Sequence, residues 1–254
     1  MNRIFAYGDL HGSGNTVLAM LDQLPKDIDE TDVLILCGDV GIKYGEYESG
    51  IKKLFGKYPC DFLVMRGNHD VRYWEDIQRL TTNFFISHKY GAATLVQENY
   101  LNIHYIEDGG NLYNINNKKI LFIPGAYSVD KDYRLKNRLA YEWGEQLTNL
   151  EKMNIIYLVD EHKFEIDYII SHTCPFSLQP YIEDLFLSMI DQDSVDKTME
   201  KFLDEVKIKL GCNINYHWYF GHFHADRNIK DRYHMLYRKI AILKGDENEN
   251  QYCI

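Results

Sequence analysis

Five short polar motifs in this chain each stand where a run of apolar, strand-forming residues stops: Asp9-Leu10-His11, Gly38-Asp39, Gly67-Asn68-His69-Asp70, Ser171-His172 and Gly221-His222-Phe223-His224. Recurrence of buried strand, polar loop and helix is the pattern of a parallel α/β sheet, whose strands present their carboxyl ends along one edge. Motifs more than 200 positions apart can therefore converge there.

Residues 4–7 read as a buried strand, and a helical spacing follows at Val17, Leu18, Leu21 and Leu24, closed by Pro25. Residues 33–37 form the strand before Gly38-Asp39, with a helix expected over 46–57. Residues 62–65 precede the third motif, with a helix expected over 71–80. Short strands are expected at 103–106, 112–115 and 120–123, the last two joined by a hairpin turn at 116–119, so this region reads as antiparallel. The charged segment 128–138 precedes a helix expected over 141–153. A strand at 168–170 leads into Ser171-His172, and the apolar stripe Val195, Met199, Phe202, Leu203, Val206 and Leu210 has helical period. Residues 216–220 lead into the last motif, a final strand is expected near 235–243, and the polar tail from Gly245 is expected to fray. With no repeat or linker, the 254 residues are expected to form one domain, 1–254.

Asp and Glu number 38 against 28 Lys and Arg, a formal charge of -10 that disfavours extended nucleic acid and anionic membranes. Bound divalent cations would reverse that sign locally, so a phosphate-bearing small molecule stays compatible. The five cysteines lack the close pairing of a zinc ribbon or redox dithiol. No apolar stretch approaches a membrane span and the first motif follows the N-terminus closely, so a cytoplasmic protein without a signal peptide is expected. Self-association is left open.

Carboxylate oxygens combined with imidazole nitrogens suit Mn, Fe, Zn and similar divalent ions, and one carboxylate can bridge two of them about 4 Å apart. Asp9 and His11 are two apart in an extended segment, and His222 and His224 repeat that spacing. Singly, each motif reads as an ordinary turn. Together they place four histidines, two aspartates and an asparagine at strand ends, a set that loops have no structural need for.

In order and spacing the motifs resemble those of the calcineurin-like metallophosphoesterase superfamily: Asp-x-His, Gly-Asp, Gly-Asn-His-Asp/Glu, His and Gly-His-x-His. The resemblance spans residues 9–224. It implies Asp9, His11 and His224 on one cation, Asn68, His172 and His222 on a second, and Asp39 bridging them. It also implies a four-layer α/β/β/α sandwich. Two divalent ions are implied as cofactors, with Mn favoured and Fe, Zn or Ni as alternatives. The implied activity is hydrolysis of small phosphate monoesters or diesters, nucleotide-like ones favoured, by a hydroxide shared between the cations.

His69, next to Asn68, is the expected general acid for the leaving oxygen, with a loop-holding histidine as the bland alternative. Asp70 is expected either to orient His69 or, slightly preferred, to cap the helix after it. Arg66 matches the Arg-Gly-Asn-His run of the protein Ser/Thr phosphatases and reads as either a substrate contact or a structural residue. That branch extends its second motif to Gly-Asp-x-x-Asp-Arg-Gly, whereas Val40-Gly41-Ile42 follows here. A phosphoprotein phosphatase is therefore the weaker alternative. The other rival, a non-catalytic scaffold keeping the fold, sits poorly with ligand positions that are all filled. Lys131 and Arg134, on a tyrosine-containing loop, are candidate substrate contacts against a reading as a solvated charge run. Cys174 reads as structural, and His88, His104, His162, His217 and His234 as ordinary.

Overall fold

Alternation along single strands determines the layering. In β1 (Ile4–Tyr7), Phe5 and Tyr7 join one core cluster and Ile4 and Ala6 another. In β8 (Lys118–Ile123), Leu121 and Ile123 face a third cluster, while Ile120 and Phe122 share that of Ile4 and Ala6. A strand with both faces apolar must be covered on both. Here each sheet covers one face of the other and helices cover the outsides.

The computed structural model describes residues 2–42, 50–75, 83–139, 141–186, 191–211, 213 and 215–243. The first sheet has the order β13-β1-β2-β3-β6-β5-β4. It comprises β1, β2 (Val33–Cys37), β3 (Asp61–Met65), β4 (Phe84–Ser87), β5 (Thr94–Gln97), β6 (Tyr100–Ile106) and β13 (Ala241–Ile242). Its middle strands β1, β2, β3 and β6 run parallel. The second sheet, β11-β12-β10-β9-β8-β7, comprises β7 (Leu112–Ile115), β8, β9 (Tyr168–Ser171), β10 (His217–Phe220), β11 (Arg227–Ile229) and β12 (Tyr233–Met235). Strands β8, β9, β10 and β12 are parallel, and β7 and β8 form the expected antiparallel hairpin.

Helices α1 (Gly14–Leu21) and α2 (Gly50–Phe55) bury Val17, Met20, Ile51 and Phe55 on the outside of the first sheet. Helix α3 (Lys131–Lys136) is a short surface helix. Helices α4 (Asn149–His162) and α5 (Thr198–Leu210) pack Ile155, Val159, Met199, Leu203 and Val206 on the outside of the second. This is the α/β/β/α sandwich that the resemblance implies.

Several elements differ from expectation. The helix expected over 141–153 starts at Asn149, because Thr148 caps it: its side chain accepts the Glu151 N–H and the Glu151 carboxylate accepts the Thr148 N–H. Residues 71–75 form a turn rather than helix, and 76–80 lie outside the described residues. Of the helix expected over 46–57, Gly50–Phe55 is helical and 46–49 lie outside the described residues. Leu18 is 47% exposed, the inward position being taken by Met20. The charged segment contains α3, and the strand expected near 235–243 is divided between β12 and β13 in different sheets. Cys37, Cys60 and Cys174 are buried free thiols, whereas Cys212, Cys253 and the tail from Gly245 lie outside the described residues. Among the described residues no helix is long and apolar enough to cross a membrane.

Candidate metal centre

All five motifs leave the carboxyl ends of parallel strands: β1, β2 and β3 in one sheet, β9 and β10 in the other. Hydrogen bonds then tie the motifs together. The His11 N–H donates to the Asp39 carbonyl, and the Gly221 N–H to that of His172. The His222 N–H donates to both oxygens of Asp9 (3.0 and 2.9 Å), and the His69 N–H to Asp39 Oδ1 at 2.8 Å. Asp39 Oδ2 is left 4.0 Å from His11 Nδ1 and 3.5 Å from His172 Nε2.

The backbone reaches this arrangement through left-handed conformations at Asp9, His11, Asp39, His222 and His224, with φ between 44° and 71°. Such values cost a non-glycine residue about 1 kcal/mol or more and persist where surroundings enforce them. Glycine is required beside them for a different reason, close approach. A Cβ on Gly67 would lie 2.2 Å from Asp39 Oδ1, and one on Gly221 2.6 Å from Asp9 Oδ2.

Two donor sets result. Asp9, His11 and His224 offer ligand atoms within 4.8 Å of one another, and so do Asp9, Asp39 and His172. Asn68 Oδ1 lies 2.8 Å from His172 Nε2 and 3.1 Å from His222 Nδ1, which brings both residues to the second set. The His172 Nδ1–H donates to the Cys37 carbonyl at 2.8 Å, which aims Nε2 inward as the ring nitrogen that a cation would take in exchange for its proton. On its other side, Asn68 Nδ2 donates to Ser128 Oγ at 2.8 Å.

Burial pushes the Asp9 carboxyl up to about 8, opposed by the charge of His172. Burial also works against ionised Asp39, yet the charge and hydrogen bond of His172, with the charge and N–H of His69, hold it well below the usual carboxylate range. His172 is raised to about 9: burial opposes the cation, and the charge and hydrogen bond of Asp39 with the charge of Asp9 prevail. His11, His222 and His224 are all lowered, chiefly by burial. Three neutral imidazoles beside buried carboxylates, with hard oxygen and borderline nitrogen donors at ligand-to-ligand spacing, fit divalent cations of the Mn, Fe or Zn kind.

His69 is exposed at the rim, its ring centroid 5.9 Å from that of His11. Asp70 requires correction, because among the described residues it caps no helix. Its buried carboxylate accepts the N–H groups of Val40 (3.1 Å), Gly41 (2.9 Å) and Gly67 (3.0 Å), bracing the second motif against the third. Arg66 also differs from the substrate-contact reading: it is 0% exposed, paired with Asp108 at 2.9 Å and donating to the Glu145 carbonyl at 2.9 Å. Lys131 Nζ lies 5.3 to 5.9 Å from the ring centroids of Tyr127, Tyr141 and Trp143. Arg134 pairs with Asp130 at 2.7 Å. Cys174 is fully buried with its thiol pushed well up by that burial, which suits a structural role.

Sequence reasoning missed Ser128, Glu145, Asp108 and Tyr237, whose ring stacks on that of His224 at 5.1 Å. For Ser128 the one available signal was its place five residues beyond the end of β8, on the edge the motifs share.

The profile of the calcineurin-like phosphoesterase family matches residues 2–226, and the chain belongs to that family. Its members are metal-dependent phosphoesterases, and the donor sets described above are the corresponding candidate metal-binding groups. Among solved structures the chain is similar to a protein of unknown function from Aquifex aeolicus, at 14% identity over 68% of this chain and 80% of that one, with a TM-score of 0.35. No curated protein matches the chain.

Proposed function

We propose that the chain is a dinuclear phosphoesterase acting on small phosphate monoesters or diesters, nucleotide-like ones favoured. The observation that carries this is the meeting of two donor sets across Asp9 and Asp39. Asp9, His11 and His224 would hold one cation, Asn68, His172 and His222 the other, and Asp39 Oδ2, facing both halves, would bridge. Mn is the favoured metal, with Fe, Zn or Ni as alternatives. When bound, such a pair supplies a water of lowered pKa as nucleophile and polarises the phosphoryl oxygens.

The chain's own groups supply the rest. His69, exposed at the rim with its N–H anchored on Asp39, donates a proton to the leaving oxygen. The faces of Tyr141 and Trp143, the latter 75% exposed, offer an apolar rest for an aromatic leaving group, and Lys131 among them offers a charge for its phosphate. Arg134, engaged by Asp130, takes at most a supporting part. The seat of Arg66 in a buried ion pair supports a small-ester enzyme over a phosphoprotein phosphatase. Buried free thiols suit a reducing compartment such as the cytoplasm.

The test is hydrolysis of bis(p-nitrophenyl) phosphate, p-nitrophenyl phosphate, nucleotides and a phosphopeptide by metal-stripped protein, with and without Mn²⁺. Turnover of the small esters that requires the metal and exceeds turnover of the peptide is expected. Preference for the peptide would favour a protein phosphatase, and no turnover after metal loading would favour a scaffold.

A further inference from the structure

Asn68 has a side chain whose two ends are nearly the same shape and opposite in chemistry. Its Oδ1 can join His172 and His222 as a ligand; its Nδ2, turned the same way, would direct two N–H groups at the same spot. Whatever sits at the far end therefore decides whether Asn68 attracts or repels a cation. That end meets Ser128 Oγ at 2.8 Å. Ser128 is 1% exposed, so water does not compete for the contact.

A hydroxyl can donate as well as accept, and by itself does not choose. Its place is fixed by Glu145, which is 2% exposed and whose Oε2 accepts the Ser128 backbone N–H at 3.1 Å. The Ser128 hydroxyl oxygen accepts from Asn68 Nδ2, which leaves Asn68 Oδ1 facing His172 and His222. Glu145 is fixed in turn, because its carbonyl accepts from Arg66 Nη1 and from the Ala126 N–H.

We propose that Ser128, anchored by Glu145, is a positioning residue that holds the Asn68 carbonyl oxygen toward the second cation. The inference rests on the two-cation reading of the site and goes beyond it by assigning a control on one of the two ions. Loss of such an outer contact typically costs about 10- to 100-fold in metal affinity. Because Asn68 serves only the His172 and His222 side, one ion should weaken and the other should not.

The experiment is Mn²⁺ binding by calorimetry and elemental analysis on the full chain, for wild type, Ser128→Ala, Ser128→Thr, Asn68→Asp and the double variant Ser128→Ala with Asn68→Asp. Wild type should bind two ions. Ser128→Ala should lose about 10- to 100-fold in affinity for one of them, with Ser128→Thr recovering part of the loss and the metal-free melting temperature nearly unchanged. A carboxylate has two equivalent oxygens and no orientation to choose. In the Asn68→Asp background Ser128→Ala should therefore cost little, whereas a merely structural Ser128 would cost as much as before. Unchanged affinity for both ions in Ser128→Ala, or an equal loss in both backgrounds, overturns the inference and leaves the two-cation reading standing. A wild-type chain that never takes up a second ion overturns that reading and the inference with it.

Discussion

The Nε2 atoms of His11 and His224 lie 2.8 Å apart although 213 positions separate the residues. Burial lowers the pKa of both rings, so both imidazoles are neutral near pH 7. Two lone pairs pointed at one spot repel unless a proton or a cation lies between them. His224→Ala is expected to reduce the bound ions from two to one and to lower diester hydrolysis by at least about 100-fold. Elemental analysis after dialysis checks this; two ions retained would detach His224 from the centre.

For His69→Ala both ions should stay, since the residue offers the centre its backbone N–H and not its ring. General-acid loss is worth about 10² to 10⁴ in rate, and it should appear on alkyl esters while p-nitrophenyl esters, which leave without a proton, change little. A plot of log kcat/KM against leaving-group pKa should steepen. Equal losses along the series would take the acid role from His69.

Arg66→Met is expected to act on the fold rather than on substrate affinity. Among the described residues Asp108 would keep Arg72 alone, 3.1 Å away, and the Glu145 carbonyl would lose a donor. A loss of about 3 kcal/mol in urea unfolding follows, with the remaining folded enzyme keeping its KM. A raised KM at unchanged stability would restore Arg66 as a substrate contact.

Glu151 yields a pH-dependent prediction. Burial works against its charge, but the hydrogen bond from Arg72 and those from Thr148 hold its pKa below the ordinary 4.5. A folded pKa below the unfolded one means that the stabilisation is complete above pH 4.5 and is lost as pH falls through the folded value. Glu151→Gln should therefore be less stable than wild type by about 2 kcal/mol at pH 7, with the gap closing below pH 4.5. Urea melts at pH 7 and at the lowest pH where both proteins stay folded measure it. A gap independent of pH would show that the charge contributes nothing.

The strands that carry the motifs were legible because buried parallel strands are apolar on both faces and stop abruptly at polar residues, as at Cys37-Gly38 and Phe220-Gly221. Strands β4 and β5 lack that signature: β4 is an edge strand with Phe85 and Ile86 turned outward. The start of α4 was written in Thr148-x-x-Glu151, but the apolar residues before it suggested an earlier one. Roles set by distant partners were not legible. Asp70 could not be read as a brace without knowing that Val40 and Gly41, 30 and 29 positions away, turn their N–H groups toward it. Arg66 meets Asp108 and Glu145 from 42 and 79 positions away, and Asn68 meets Ser128 from 60.

The most direct test of a paired-ion centre is electron paramagnetic resonance during titration of the metal-free protein with Mn²⁺. Ions sharing Asp39 about 4 Å apart should give a spin-coupled spectrum that saturates at two equivalents, in step with diester hydrolysis, and that Asp39→Asn abolishes. Isolated-ion signals at every loading, or full activity at one equivalent, would contradict it.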